Sequence, residues 1–186
     1  MGALLERTYG ARYEDLARRL FASACLRHVG FWGETDLSDP HVLAQPLHPP
    51  SPALRQRNYG MLASGGLLIT ARDLVSWQYA LTSGRVLSSA SLEEMFAPRG
   101  STSIGQSAFG SFLVQSPLLG RTISARGTED WGDNAYLNDY RDRGLIFAIT
   151  TSRGPAEGAG RPLFRDSITP QIERVLAERF PNEGGG

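Results

Sequence analysis

The residues with the most chemistry to offer sit together in one short stretch, Arg126–Asp133. It holds a cation (Arg126), a hydroxyl (Thr128), the adjacent carboxylates Glu129 and Asp130 with Asp133 closing the stretch, and an indole (Trp131), between two runs rich in the Ile, Tyr, Thr and Leu that suit a pleated sheet. A guanidinium at a strand end can grip a carboxylate with two parallel hydrogen bonds and does not deprotonate, so Arg126 suits anion binding and not proton relay. The competing reading is a surface pair of Arg126 with Glu129 or Asp130, worth under about 1 kcal/mol. The three histidines, His28, His41 and His48, lie in or beside one loop that also carries Asp36 and Asp39. No His-x-x-x-His spacing or cysteine partner makes them metal ligands, and they read as solvated loop residues. No G-x-S-x-G elbow supports a Ser-His-Asp triad. Gly158-Ala159-Gly160 lacks a third glycine and a following parallel strand, so no dinucleotide site is expected. Cys25 closes an apolar helix face and is expected in the core.

Composition removes further chemistries. All 19 basic residues are arginine. Without lysine the chain has no P-loop lysine, no Schiff base and no Ser-x-x-Lys pair. A formal net charge of zero gives no electrostatic footprint for nucleic acid or an anionic membrane. No apolar run approaches the roughly 20 residues of a membrane helix, and Met1–Leu5 runs straight into Glu6 and Arg7 without a secretory pattern. As it stands the sequence reads as cytoplasmic, and no cofactor is expected.

Stepping outward from the turn, Arg121–Arg126, Asn134–Arg141 and Leu145–Thr151 read as three antiparallel strands. The last two join at Arg141–Gly144, with Gly144 placed to take positive φ. Leu145, Phe147 and Ile149 alternate with Ile146 and Ala148, so this strand is apolar on both faces and is expected to be central and covered. Phe109–Gln115 is expected as a strand at the sheet edge. Tyr13, Leu16, Ala17, Leu20, Phe21 and Ala24 form one apolar helix face, with Glu14 and Asp15 in the first turn, and Ala3–Thr8 is a shorter helix closed by Gly10. Residues 30–57 read as a long irregular excursion. Thr70 and Asp73 open a helix with Leu74, Trp77 and Leu81 on its stripe and Gly84 after its end. Gly65-Gly66 ahead of it implies a close backbone approach. Ser88–Phe96 is a short helix with Ser91 answered by Glu94. Thr169-Pro170 is expected to open a last helix presenting Ile172, Val175, Leu176 and Phe180 on one face. The class is α+β, an antiparallel sheet with flanking helices, in one domain over residues 1–181 with a disordered tail at 182–186.

The segments Tyr59–Gly84, Val86–Pro98 and Arg121–Gly154 resemble the β-lactamase-related serine hydrolases, which include class C β-lactamases, penicillin-binding DD-peptidases and esterases. The matching marks are GGLLITARDL (Gly65–Leu74), LSSASLEEMFAP (Leu87–Pro98), and a basic strand end followed by Trp131-Gly132-Asp133-Asn134 and a last hydrophobic strand. GALLERTYGARYEDLARRLF (Gly2–Phe21) looks like the family segment just after its Tyr-x-Asn motif. The resemblance implies a fold that in this chain lacks the N-terminal strands and the nucleophile helix. It also implies three catalytic elements: Ser-x-x-Lys, Tyr-x-Asn, and a Lys-Thr-Gly or His-x-Gly triplet on a strand edge that holds the substrate carboxylate. Only the triplet has a counterpart. Counting back from Gly132 without gaps, it falls on Arg126, Gly127 and Thr128, with the cation kept and the final glycine replaced by Thr128. Arg126 is then expected to point into the groove, near a rim formed by the Gly65-Gly66 segment or by the Tyr loop that the resemblance implies is missing.

The implied activity is hydrolysis of a small-molecule ester, amide or lactam through an acyl-serine, which this polypeptide should not perform alone. Two other readings stay open: a non-catalytic binding or regulatory module that keeps the groove, and one half of a split enzyme. If the N-terminal strands are missing, an apolar strand edge is left unpaired and self-association is expected.

Overall fold

The computed structural model describes residues 1–34, 59–128, 133–152 and 164–181, with 164–167 known by backbone alone. Its class is α+β, with two antiparallel sheets and helices packed on them. The expectations for His41, His48, Asp36, Asp39, Glu129–Gly132, Gly158–Gly160 and the tail fall outside the described residues.

The main sheet is a six-stranded meander in chain order: β3 (Gly100–Thr102), β4 (Gly105–Ala108), β5 (Ser111–Ser116), β6 (Gly120–Thr128), β7 (Asn134–Tyr140) and β8 (Leu145–Thr151). The three expected strands are β6 to β8, and Gly144 takes φ 61° in the hairpin between the last two. Two placements differ from expectation. The strand expected at an edge is interior, because β3 and β4 extend the sheet beyond β5. Those two strands are short and built from Gly, Ser, Thr and Gln, without the alternation that betrays a strand. The strand expected to be central, β8, is instead the outermost of the described strands, half-buried over most of its length.

The N-terminal region is helical. Helix α1 (Gly2–Tyr9) ends on Gly10 in the left-handed conformation, and α2 (Tyr13–Ser23) follows. Strands β1 (Val29–Phe31) and β2 (Leu67–Ile69) form a small second sheet, preceded in the case of β2 by the single turn α3 (Tyr59–Leu62). Ala17, Phe31 and Leu62 are buried together, with Tyr13 and Phe21 against them, and the Tyr13 ring meets Phe31 edge-on at 6.0 Å. Glu6 pins these pieces: its carboxylate accepts from Tyr13 N at 2.8 Å and from Tyr59 Oη at 2.5 Å. The close approach expected at Gly65-Gly66 is real, since a Cβ on Gly66 would lie 2.9 Å from the Met61 carbonyl oxygen. Leu20 is 44% exposed, so the apolar face of α2 is narrower than its pattern implied. Cys25 is exposed rather than in the core, because the chain turns at that residue with φ 59° instead of continuing the helix.

Helix α4 (Ala71–Thr82) starts as expected, with Thr70 Oγ1 accepting from Asp73 N at 3.1 Å, and Gly84 follows its end with φ 78°. For α5 (Ser89–Met95) the cap is Ser88, which accepts from Ser91 N, not Ser91 itself. The last helix, α6 (Phe164–Arg179), begins before Thr169, and Pro170 lies inside it. Its expected apolar face is also displaced: Val175 and Phe180 are each 53% exposed, while Thr169 is buried.

Strand alternation assigns the two helices to opposite sides of the sheet. Helix α4 packs on β7 and β8, and its Gln78 donates to Asp139, which marks the side of odd-numbered β6 and β7 residues. Helix α6 sits on the even-numbered side, where Ser116 Oγ donates to Glu173 Oε2 at 2.9 Å.

Candidate active-site strand

Residues Arg126, Gly127 and Thr128 are the last three of β6. On one edge they continue to pair with β7, in the register Arg126↔Tyr136, Gly127↔Ala135 and Thr128↔Asn134. On the other edge, pairing with β5 runs only from Ser116↔Gly120 to Phe112↔Ser124. The triplet therefore overhangs the end of β5, and its backbone groups on that edge point past the neighbouring strand. An overhang of this kind is where an extended ligand can add itself to a sheet through main-chain hydrogen bonds. Gly127 suits the position, since it is exposed and a Cβ there would meet nothing within 4 Å among the described residues. Thr128 braces the strand end by donating from Oγ1 to Asn134 Oδ1 at 3.1 Å.

The direction of the Arg126 side chain follows from register. By alternation it shares the even-numbered side with Phe112, Ser124 and Tyr136, and its guanidinium carbon lies 4.8 Å from the centre of the Phe112 ring. Cation–π contact over a strand-end aromatic holds the side chain back along the sheet. It thus lies on the α6 side, away from α4, to whose start Gly65-Gly66 leads. The open depressions described on the surface, one between α5 and Phe109 and one between α1 and Tyr59, do not include it.

The remaining chemistry around this strand is structural. A Tyr-x-Asn tripeptide does occur, at Tyr136-Leu137-Asn138, but it lies within β7, and Asn138 Nδ2 donates to the Tyr140 hydroxyl at 2.8 Å. Such a motif inside a sheet, in a residue pair already engaged, has no access to a reacting bond. Burial, with Glu173 adding to it, pushes the Tyr140 phenol well above its ordinary range against the lowering effect of Asn138. His28 is exposed at its ring and tied to Asp73, whose Oδ2 accepts from His28 N at 2.8 Å and lies 3.2 Å from Nδ1. This contact couples the start of β1 to the first turn of α4, a link that 45 residues of separation hid from sequence reasoning.

An antiparallel sheet flanked by helices on both sides is the frame of a β-lactamase-type fold. A beta-lactamase family model matches residues 1–168, and the chain belongs to that family. Among solved structures it is similar to a penicillin-binding protein from Bacillus halodurans, at 16% identity and TM-score 0.71, with 94% of this chain and 52% of that one covered. It is also similar to a D-amino acid amidase from Ochrobactrum anthropi SV3, at 20% identity and TM-score 0.72, covering 94% and 53%. A D-stereospecific amidohydrolase from Streptomyces sp. aligns at 18% identity and TM-score 0.64, covering 100% and 52%. The chain spans about half the length of these structures. No curated protein matches the sequence significantly.

Proposed function

We propose that residues 1–186 provide the substrate-edge portion of an acyl-serine hydrolase for ester, amide or lactam bonds, and that this polypeptide alone does not turn substrate over. The observation that carries the reading is the overhang of Arg126–Thr128 beyond β5, in a family member whose sequence contains no lysine. The main chain of the overhang would align the acyl portion of the substrate, and Arg126 would supply positive charge beside it. With neither Ser-x-x-Lys nor an accessible Tyr-x-Asn, these residues bind without supplying nucleophile or base.

The test has two arms. Incubation with a chromogenic cephalosporin, an activated phenyl ester and a fluorophosphonate should give no turnover above buffer and no mass adduct. Stoichiometric labelling of one serine, seen by intact mass, overturns the claim of inactivity. Titration of a β-lactam into isotope-labelled chain should shift the amide resonances of Gly127 and Thr128, and Arg126→Ala should weaken the response. Shifts confined to other regions remove the site assignment and leave the first arm standing.

Strand β8 supports a proposal about partners. Leu145–Ser152 contains no charged residue and no proline, the usual devices that keep a sheet edge from pairing with another chain. Among the described residues its outer edge meets no strand. The chain is therefore expected to self-associate there, giving a concentration-dependent mass in light scattering that Phe147→Lys abolishes. A monomer at all concentrations contradicts this.

A further inference from the structure

The hairpin between β4 and β5 has Phe109 and Gly110 at its tip, and the tip lies where the overhang of β6 begins. Pairing of β5 with β6 reaches only as far as Phe112↔Ser124. Carried two residues further, the same register sets Gly110 against Arg126, but Gly110 has φ 70° and belongs to the turn that leads back to β4. A ligand lying along the free edge of Arg126–Thr128 would take the lane that β5 leaves empty, about 4.8 Å from β6, and meet this tip end-on.

The tip is also one wall of an open depression of about 580 Å³, whose other wall is Leu87 with α5. Backbone hydrogen bonds tie the hairpin to the α5 segment: Phe109 N donates to the Met95 carbonyl at 3.0 Å, and Arg99 N to the Ser107 carbonyl at 2.8 Å. The volume falls within the roughly 300–1,000 Å³ of small-molecule sites. Its lining is mainly apolar: Leu87, Ala90, Met95 and the ring of Phe109, which is 54% exposed. The charged residue of the lining, Glu94, is paired with Arg99, whose guanidinium lies 4.3 Å from the centre of the Phe109 ring and steadies it. Ser91 Oγ accepts from the Ser88 hydroxyl at 3.0 Å. A charged substituent entering here would lose water without gaining a partner, whereas a phenyl or branched alkyl group would remove its own apolar surface and that of Phe109 from water.

We infer that this depression is the subsite for the acyl side chain of the substrate, and that it selects uncharged aromatic or branched aliphatic acyl groups. The assignment rests on the reading of Arg126–Thr128 as the substrate edge, and adds to it the group that such an edge presents to the hairpin tip. Phe109 determines the preference, as the ring against which an incoming side chain lies.

Two penicillins with one nucleus test this on the full chain: benzylpenicillin, and its analogue carrying methyl in place of benzyl on the acyl carbon. Both should shift the amide resonances of Gly127 and Thr128. Only benzylpenicillin should also shift those of Phe109, Gly110 and Met95, and it should bind about tenfold more tightly. Phe109→Ala, a change at an exposed turn position, should bring the two affinities together. Ala90→Glu, on the exposed surface of α5, should do the same by setting a carboxylate in the depression. Equal affinities in the wild type, or a preference that both variants leave intact, overturn the inference; the overhang reading survives if Gly127 and Thr128 still shift. Absence of those two shifts with both compounds overturns the overhang reading and the subsite with it.

Discussion

The two sides of the sheet differ in which residues they bury completely. Under α4 lie Ile123 and Leu137, both buried, with one polar intrusion, Asp139, that is 1% exposed. That carboxylate is satisfied: it accepts from Gln78 Nε2 at 3.0 Å and from Arg141 Nη1 at 3.1 Å. Under α6 the buried residues are Ser116, Thr122, Ser124, Asn138 and Tyr140. Apolar area removed from water is additive and indifferent to direction, whereas hydrogen bonds reward one geometry only. The α6 side also carries Phe112, Val114, Leu145, Phe147 and Ile149, all half-buried, so its contact with the sheet mixes apolar area with directed contacts, and the two helices should come away from the sheet under different conditions.

The comparison is sharpened most by Leu137→Ala on the α4 side. Removing this buried side chain should cost about 2–5 kcal/mol and lower the urea midpoint of the whole domain. On the α6 side, Glu173→Ala removes the acceptor of the Ser116 hydroxyl and should cost less, about 1.5 kcal/mol. Its signature is local: hydrogen-exchange protection should drop in α6 while α4 keeps its own. Equal loss in both helices would break the distinction between the two sides. The smallest effect is in alkali. Burial holds the Tyr140 proton above the ordinary phenol value of 10.0, so the folded state resists its ionisation more than the unfolded state does. That contribution is complete below pH 10.0 and fades as pH rises beyond it. Melting temperature should fall more steeply above that point in the wild type than in Tyr140→Phe, and parallel curves would remove Tyr140 from the account.

What could be read from the sequence followed from local rules. Strands β6 to β8 carried enough β-branched and aromatic residues, and Thr70, Gly10, Gly84 and Gly144 enough turn and cap chemistry, to place those elements. Strands β3 and β4 had neither, and owe their existence to pairing, β4 with β5 and β3 with β4. Cys25 and Leu20 continued an apolar pattern, but the chain turned at one and left the other uncovered, which only tertiary packing decides. The triplet at Arg126 was legible as a strand end. Its overhang was not, because that depends on where β5 starts, and neither was the direction of Arg126, which depends on register. The contact of His28 with Asp73 joins residues whose separation no pattern spans.

The meander also bears on the order in which the chain can assemble. Every strand from β3 to β8 pairs with its immediate neighbours in sequence. Each pairing therefore closes only a short turn, and no strand must wait for a distant partner, so the conformational search is brief for so much β structure. During synthesis the sheet can grow one hairpin at a time as the ribosome releases it, against an α4 that has already emerged. Helix α6 arrives after every one of those strands, to a platform already built.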